Sequence, residues 1–349
     1  MPTTPQSAEI NTAQLRPSPF VLALPKAELH LHLEGAVEPM TLLELSRRHD
    51  PAPLDGDAVE RIYRYADFPG FLEAFAAVTN RLRDPEDYEL ITYRLLERLR
   101  AENVVHAEVY VSVGICLRRK QDFDALFEGM ERGRQRGLHD FGVSLLWIFD
   151  FVRQWGPEAA AQVIEKAIQF RGHSVVGIGM GGDERQAAPE LFREVYQRAA
   201  EHGLRLTAHA GEAAGPESVL GALDALGAER IGHGLNAWHD AELVARLVRD
   251  QVPVEICVTS NLRTGCLKAL EHHPLRKYFD AGVLVTLNSD DPAMFTTSLA
   301  REYQLAQEAF GFTDDELRRL AANGFRASFL PDKEKQRHLA GLTVPAPRL

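Results

Sequence analysis

His30 and His32 stand two residues apart at the end of a short apolar run. Side chains two apart on an extended strand point to one side, so both imidazoles can face a single divalent cation. His209, in His209-Ala210-Gly211-Glu212, follows a second apolar run, and the Asp290-Asp291 pair follows a third. Adjacent carboxylates repel each other unless a cation or a donor-rich ligand offsets them. His30, His32, His209 and one Asp of the pair form a nitrogen and oxygen ligand set with a position left for water. Such a set best suits one zinc ion per chain, and iron or cobalt accept the same donors. A cation held there makes hydroxide from water near neutral pH, so the chemistry expected is metal-dependent hydrolysis.

Two further residues fall beside that set. Glu212 lies three positions after His209, past a glycine that lets the chain turn, and can reach the same centre as a general acid/base without being a ligand. His233, between Gly232 and Gly234, ends another apolar run, and an imidazole beside the attacking water can orient it and stabilise the charge that develops. The other histidines, among them His49, His106, His273 and His338, fall away from strand ends and are expected to be surface or packing residues.

Strand ends must deliver these groups. Apolar or β-branched runs recur at residues 27–32, 104–113, 143–151, 175–179, 204–208, 230–232, 252–258 and 283–287, eight in all. Helical spacing fills segments between them, as at 157–170, 189–202, 216–226 and 240–250, several opened by Pro or Asp. Strand-helix alternation implies a parallel sheet with right-handed crossovers, and eight units are the number that closes a barrel. An open doubly wound sheet gathers its ligand at one crevice, whereas the polar residues here sit at strand ends spread along the whole chain. The expectation is an α/β TIM (β/α)8 barrel over residues 21–349, preceded by a flexible tail over 1–20. Residues 39–103 exceed one crossover and carry Tyr63, Tyr65, Phe68, Phe71 and Phe75, so extra helices are expected after the first strand. Most of these aromatics should pack against the barrel, with a few forming a wall or lid over the pocket.

Composition narrows the partners. With 39 Lys and Arg against 50 Asp and Glu, the net charge of -11 disfavours long nucleic acid and an anionic membrane surface. Three cysteines without CxxC spacing suit a reducing compartment. No secretory leader or apolar run of membrane-spanning length is seen, so a cytoplasmic location is expected. Oligomeric state is not legible.

The ordered motifs LPKAELHLHLEG, GGDE, AHAGE, IGHG, TSN and NSDDP, from Leu24 to about Phe329, resemble the adenosine deaminase family of the amidohydrolase superfamily. The resemblance implies that His30, His32, His209 and Asp290 bind zinc, that Glu212 passes a proton to purine N1 and that His233 helps activate the attacking hydroxide. It further implies a hydrogen bond between Asp291 and purine N7, with the Gly182 amide facing N3. Water is then the co-substrate, and a 6-aminopurine nucleoside becomes the 6-oxopurine plus ammonia. Cytidine-type zinc deaminases, with their HxE and PCxxC motifs, are excluded because no such cysteine pair is present.

Two departures bear on the substrate. Glu34 stands where the family pattern HxHLDG has an Asp that contacts the ribose 5′-hydroxyl, and HLHLEG also occurs in adenine deaminases and aminodeoxyfutalosine deaminases. Gly179 and Gly181 stand where Asp and Ala are usual, which predicts a wider pocket there. Ser112 aligns with a family serine near the pocket, outside the usual SPH context. The candidates are therefore adenosine, a 5′-modified adenosine such as aminodeoxyfutalosine, or adenine. Another superfamily hydrolase, of lactonase or phosphoesterase type, is the rival chemistry. Those enzymes commonly bridge two metals through a lysine on strand four, and Gly179-Met180-Gly181-Gly182 offers none.

Overall fold

The apolar runs form strands whose residues are buried on both faces, the condition under which a parallel sheet is stable. The structure is a computed structural model that describes residues 15–65 and 68–342, Phe68 for its backbone alone. The strands are β1 (Lys26–His32), β2 (Val104–Val111), β3 (Ser144–Val152), β4 (Val175–Gly181), β5 (Arg205–Ala210), β6 (Arg230–His233), β7 (Val254–Ile256) and β8 (Val285–Leu287). They neighbour one another in sequence order, each pair parallel, with helices in the crossovers. This is the expected (β/α)8 barrel.

Closure between β8 and β1 is made past the end of the short last strand. The Asn288 side-chain oxygen accepts from the Leu29 and His30 N–H groups at 2.9 and 3.1 Å. The His32 N–H donates to the Asp290 carbonyl at 2.8 Å, and the Asp290 N–H donates to the His30 carbonyl at 3.0 Å. The seam of the barrel therefore ties three candidate ligands together through their own backbones.

Helix starts follow the local chemistry. Pro occupies the first turn of Pro39–His49, Pro85–Ala101, Gly156–Phe170 and Pro216–Asp224, and the Asp240 carboxylate caps Ala241–Asp250 by accepting from the Glu242 and Leu243 N–H groups. Helices Pro39–His49, Gly56–Tyr63, Phe68–Thr79 and Pro85–Ala101 fill the long interval after β1. No helix among the described residues is long and apolar enough to cross a membrane. Of the expected tail, residues 1–14 lie outside the described residues, while Leu15 and Val21 are buried and Pro19–Ala23 is helical. The seventh strand is shorter than the apolar run 252–258, because the chain turns at Cys257 into the helix Val258–Arg263.

The barrel interior is less apolar than strands buried on both faces would suggest. Arg230, on β6, is 1% exposed and lies between Glu108 of β2 and Glu255 of β7, with its Nε 2.6 Å from Glu255 Oε1. The Phe329 ring covers its guanidinium at 3.9 Å. Burial alone would raise the Glu108 carboxyl, but Arg230, His106 and the Phe329 N–H outweigh it and hold the group at about 2. A depressed carboxylate contributes stability that is fully present above its unfolded pKa of about 4.3 and is lost as pH falls through its folded value. Glu108→Gln should therefore lower stability at pH 7 by about 3 kcal/mol, since it leaves a buried guanidinium short of one partner. In urea titrations the gap between wild type and variant should shrink below pH 4, and a gap that widens in acid would contradict the ion pair.

Candidate metal centre and catalytic pocket

β1 presents His30 and His32, β5 presents His209, and the turn after β8 presents Asp290. Their ligand atoms lie within 4.8 Å of one another. His209 Nε2 is 3.0 Å from His30 Nε2 and 3.3 Å from His32 Nε2, and Asp290 Oδ1 is 3.5 and 3.3 Å from the same two nitrogens. Four donors about 2.0–2.1 Å from a tetrahedral ion are separated by roughly 3.3–3.4 Å, so the spacing matches a shared cation.

The outer ring nitrogens fix how the inner ones are presented. His209 Nδ1 lies 3.0 Å from the Met180 carbonyl, which can only accept, so Nδ1 carries the proton and Nε2 presents a lone pair. His30 Nδ1 faces the Glu255 carboxylate at 2.8 Å and likewise carries a proton. Against its burial, Asp290 and Glu255 raise His30 to about 9, so a cation that takes its Nε2 must displace the proton that Nε2 otherwise shares with His209 at 3.0 Å. Ser260 Oγ donates to Asp290 Oδ2 at 2.6 Å, which leaves Oδ1 for the cluster. Asp290 itself holds φ at +63°, a left-handed conformation uncommon for Asp and found where function over-determines the backbone.

His233 also has φ at +63°, and its protonation is set by a relay. The Leu275 N–H donates to His273 Nδ1 at 3.1 Å, so His273 Nε2 carries a proton and donates to Asn261 Oδ1 at 3.2 Å. Asn261 Nδ2 in turn donates to His233 Nδ1 at 3.1 Å. His233 Nε2 is thereby left as an N–H donor, directed at Glu212 Oε2 at 3.7 Å and Asp290 Oδ2 at 3.9 Å. Burial, only partly countered by the Asp290 charge, lowers His233 to about 3, so the ring is neutral at pH 7. His273 was expected to be a surface or packing residue, and the structure instead buries it as the anchor of this relay.

Glu212 lies in the loop after β5, anchored by Glu184, whose carboxylate accepts from the Ala213 and Ala214 N–H groups at 2.9 and 2.7 Å. Burial, reinforced by Asp290 and Glu184, pushes the Glu212 carboxyl up to about 8, so it holds its proton at neutral pH. Burial and the Asp290 charge likewise raise Asp291 well above the usual carboxylate range, and its Oδ1 is buried without a hydrogen-bond partner. A Cβ at Gly35 would fall 1.7 Å from that oxygen, which makes this glycine a spatial requirement.

A cavity of about 780 Å³ opens onto the cluster, lined by His32, His209, Glu212, His233, Asp290 and Asp291 and also by Ser112 and Gly182. Phe71, Phe75 and Phe295 form part of its wall, so two of the interval's aromatics face the pocket. Tyr63 and Tyr65 instead bind the Val37 and Met294 carbonyls, and the Phe68 side chain lies outside the described residues. Glu34 is 1% exposed and absent from the lining; its carboxylate accepts from the Ser112 N–H at 3.0 Å and the Ser112 hydroxyl at 3.3 Å. Gly181 lines the cavity, whereas the room left by Gly179 is taken by the Tyr110 ring and the Asp150 carboxyl and does not widen it.

Barrel, ligand spacing and proton-bearing carboxyl together define a metal-dependent hydrolase. The family model for adenosine deaminase matches residues 25–343. The chain is 37% identical over 322 residues to the aminodeoxyfutalosine deaminase of Streptomyces avermitilis, covering 91% of this chain and 90% of that one. It is 39% identical over 324 residues to the adenine deaminase of Streptomyces coelicolor, covering 92% and 95%. An amidohydrolase from Burkholderia ambifaria, solved with bound Zn, superimposes with a TM-score of 0.87 at 30% identity, covering 98% of this chain and 94% of that one. The chain belongs to the adenosine deaminase family. It is a hydrolytic deaminase acting on a purine C–N bond.

Glu255 touches no cavity atom, yet it orients His30. Glu255→Gln should keep the fold and weaken divalent-ion affinity by about tenfold to 100-fold, as loss of a carboxylate behind a metal-ligating imidazole does. Competition with a chromophoric chelator measures this directly, and unchanged affinity would show that the contact does not bear on the ion.

Proposed function

We propose that this chain removes the 6-amino group of a 6-aminopurine nucleoside, either adenosine or a 5′-modified adenosine such as aminodeoxyfutalosine. The products are the 6-oxopurine and ammonia. His30, His32, His209 and Asp290 would hold one zinc ion. Zinc in such a site makes water a nucleophile near neutral pH and stabilises developing negative charge. The zinc bound to the Burkholderia ambifaria amidohydrolase supports this choice of ion.

The observation that carries the reading is the half-buried Glu212 carboxyl 3.7 Å from the His233 ring, beside the ligand cluster. Glu212 delivers its proton to N1, which draws electron density from C6 and makes that carbon open to attack. The His233 Nε2–H donates to the oxygen adding at C6 and stabilises its charge at the tetrahedral stage. As the C6–N6 bond breaks, one proton of the attacking water ends on the amine, which leaves as ammonia, and its other proton restores the Glu212 carboxyl. Asp291, as a neutral acid, donates to N7, and the Gly182 N–H faces N3. Ser112 borders the sugar, with Glu34 behind it fixing its position. The aromatic wall of Phe71, Phe75 and Phe295 excludes bulk water from the reacting end.

A second reading, free adenine as substrate, is favoured by the 39% identity to an adenine deaminase. The cavity volume of about 780 Å³ supports the nucleoside instead, since sites of this size enclose drug-sized ligands rather than a single base.

The zinc-loaded protein should release one ammonia per 6-oxopurine formed, followed by the change in purine absorbance. Glu212→Gln should lower kcat/KM by about 1000-fold while the ion stays bound. Full activity in that variant would remove Glu212 from its role, and no turnover of any 6-aminopurine by the wild type would overturn the proposed reaction.

A further inference from the structure

Asp150 lies near the C-terminal end of β3 with its side chain facing the cavity that holds His32, His209 and Glu212. It is 7% exposed, and among the described residues neither of its oxygens receives a hydrogen bond; Oδ1 is fully enclosed. Leaving a buried carboxyl without donors is unfavourable, and native structures keep such a group where a ligand will satisfy it. The space it occupies has been cleared from the neighbouring strand. Asp150 pairs in register with Gly179, where a Cβ would lie 3.0 Å from Oδ1 and 2.5 Å from the Tyr110 ring. A Cβ at Gly181 would lie 3.2 Å from Oδ2. Both β4 positions accommodate this one carboxyl.

Asp150 is not placed to join the metal ligands, since it falls outside the group whose donor atoms lie within 4.8 Å of one another. The deaminase reading, on which this inference rests, assigns N1, N3 and N7 of the base to Glu212, Gly182 and Asp291, all from the ends of β4, β5 and β8. Asp150, near the end of β3, and Ser112, just after β2, stand on the arc of the mouth that runs from β8 past β1 to β4, on the side away from β5, where the cavity continues toward Ile115 and Trp155. What reaches that arc is the part of the substrate beyond the base. We propose that Asp150 selects a sugar-bearing substrate by accepting a hydrogen bond from a ribose hydroxyl, so that the site takes a 6-aminopurine nucleoside in preference to the free base. The Ser112 hydroxyl and N–H are both directed at Glu34, so neither is free to donate to the sugar.

The test is binding of product-like ligands, which does not depend on turnover. Calorimetric titrations of the metal-loaded wild type, Asp150→Ala and Asp150→Asn with inosine, its 2′-, 3′- and 5′-deoxy forms and hypoxanthine give the affinities. Inosine should bind Asp150→Ala about 100-fold more weakly than wild type, because a site built around a substrate hydroxyl discriminates strongly for it. One deoxy form should show the same loss on wild type and no further loss on Asp150→Ala, while Asp150→Asn, which keeps an acceptor oxygen, recovers part of the affinity. Thermal melts of both variants identify any loss due to misfolding, and the isosteric Asn variant carries the test if the Ala variant unfolds. Equal binding of all deoxy forms by wild type would overturn the proposal. So would a loss on Asp150→Ala as large for hypoxanthine as for inosine, which would place the carboxyl on the base edge. Ammonia release from 6-aminopurines is scored separately, so failure of the reaction and failure of the sugar contact give different results.

Discussion

The structure turns on three imidazole nitrogens and one carboxylate oxygen aimed at a common point. His30 and His209 bring their inner ring nitrogens to 3.0 Å of each other beside the Asp290 carboxylate. The protein fixes three of the four donors from behind. Glu255 orients His30, the Met180 carbonyl orients His209, and Ser260 orients Asp290. The backbone seam between β1 and the turn after β8 holds His30, His32 and Asp290 in mutual register. A site with most of its donors pre-aimed needs little rearrangement to take an ion, the condition for tight and geometrically selective binding.

The same economy of fixed orientation extends outward in two directions. Behind His30, Glu255 connects that ring to Arg230 and Glu108, so the charged barrel floor and the candidate ligand cluster form one continuous polar network. Above it, the His273–Asn261–His233 relay settles which His233 nitrogen carries the proton. A neutral ring with a directed N–H can stabilise developing charge without competing for the cation. Burial does the complementary work on Glu212, keeping a proton on a carboxyl that water would ionise at neutral pH.

Residue chemistry made the centre legible. His30, His32, His209, Glu212, His233 and Asp290 are polar groups ending apolar runs, and eight such runs point to a barrel whose strand ends converge. The second layer was opaque for physical reasons. The TSN motif carries no chemistry of its own, and Ser260 and Asn261 matter only because Cys257 turns the chain back over the barrel mouth. His273 gains its role from a contact twelve residues away in sequence. Glu34 reads as a substrate carboxylate, yet its partner is Ser112. Asp150 did leave a signal: a lone acid within an apolar run, opposite glycines where the family pattern has an Asp and an Ala. The carboxylate missing from β4 stands on β3.

X-ray absorption at the metal edge of the zinc-loaded protein addresses the shared ion most directly. It should show one ion per chain bound by nitrogen and oxygen donors alone, three of them imidazoles, at about 2.0–2.1 Å. Cys257 lies beside His233 and Asp290 in an alternative grouping of possible ligands. A sulfur scatterer at about 2.3 Å, or a metal–metal vector from a second ion, would contradict the four-ligand centre.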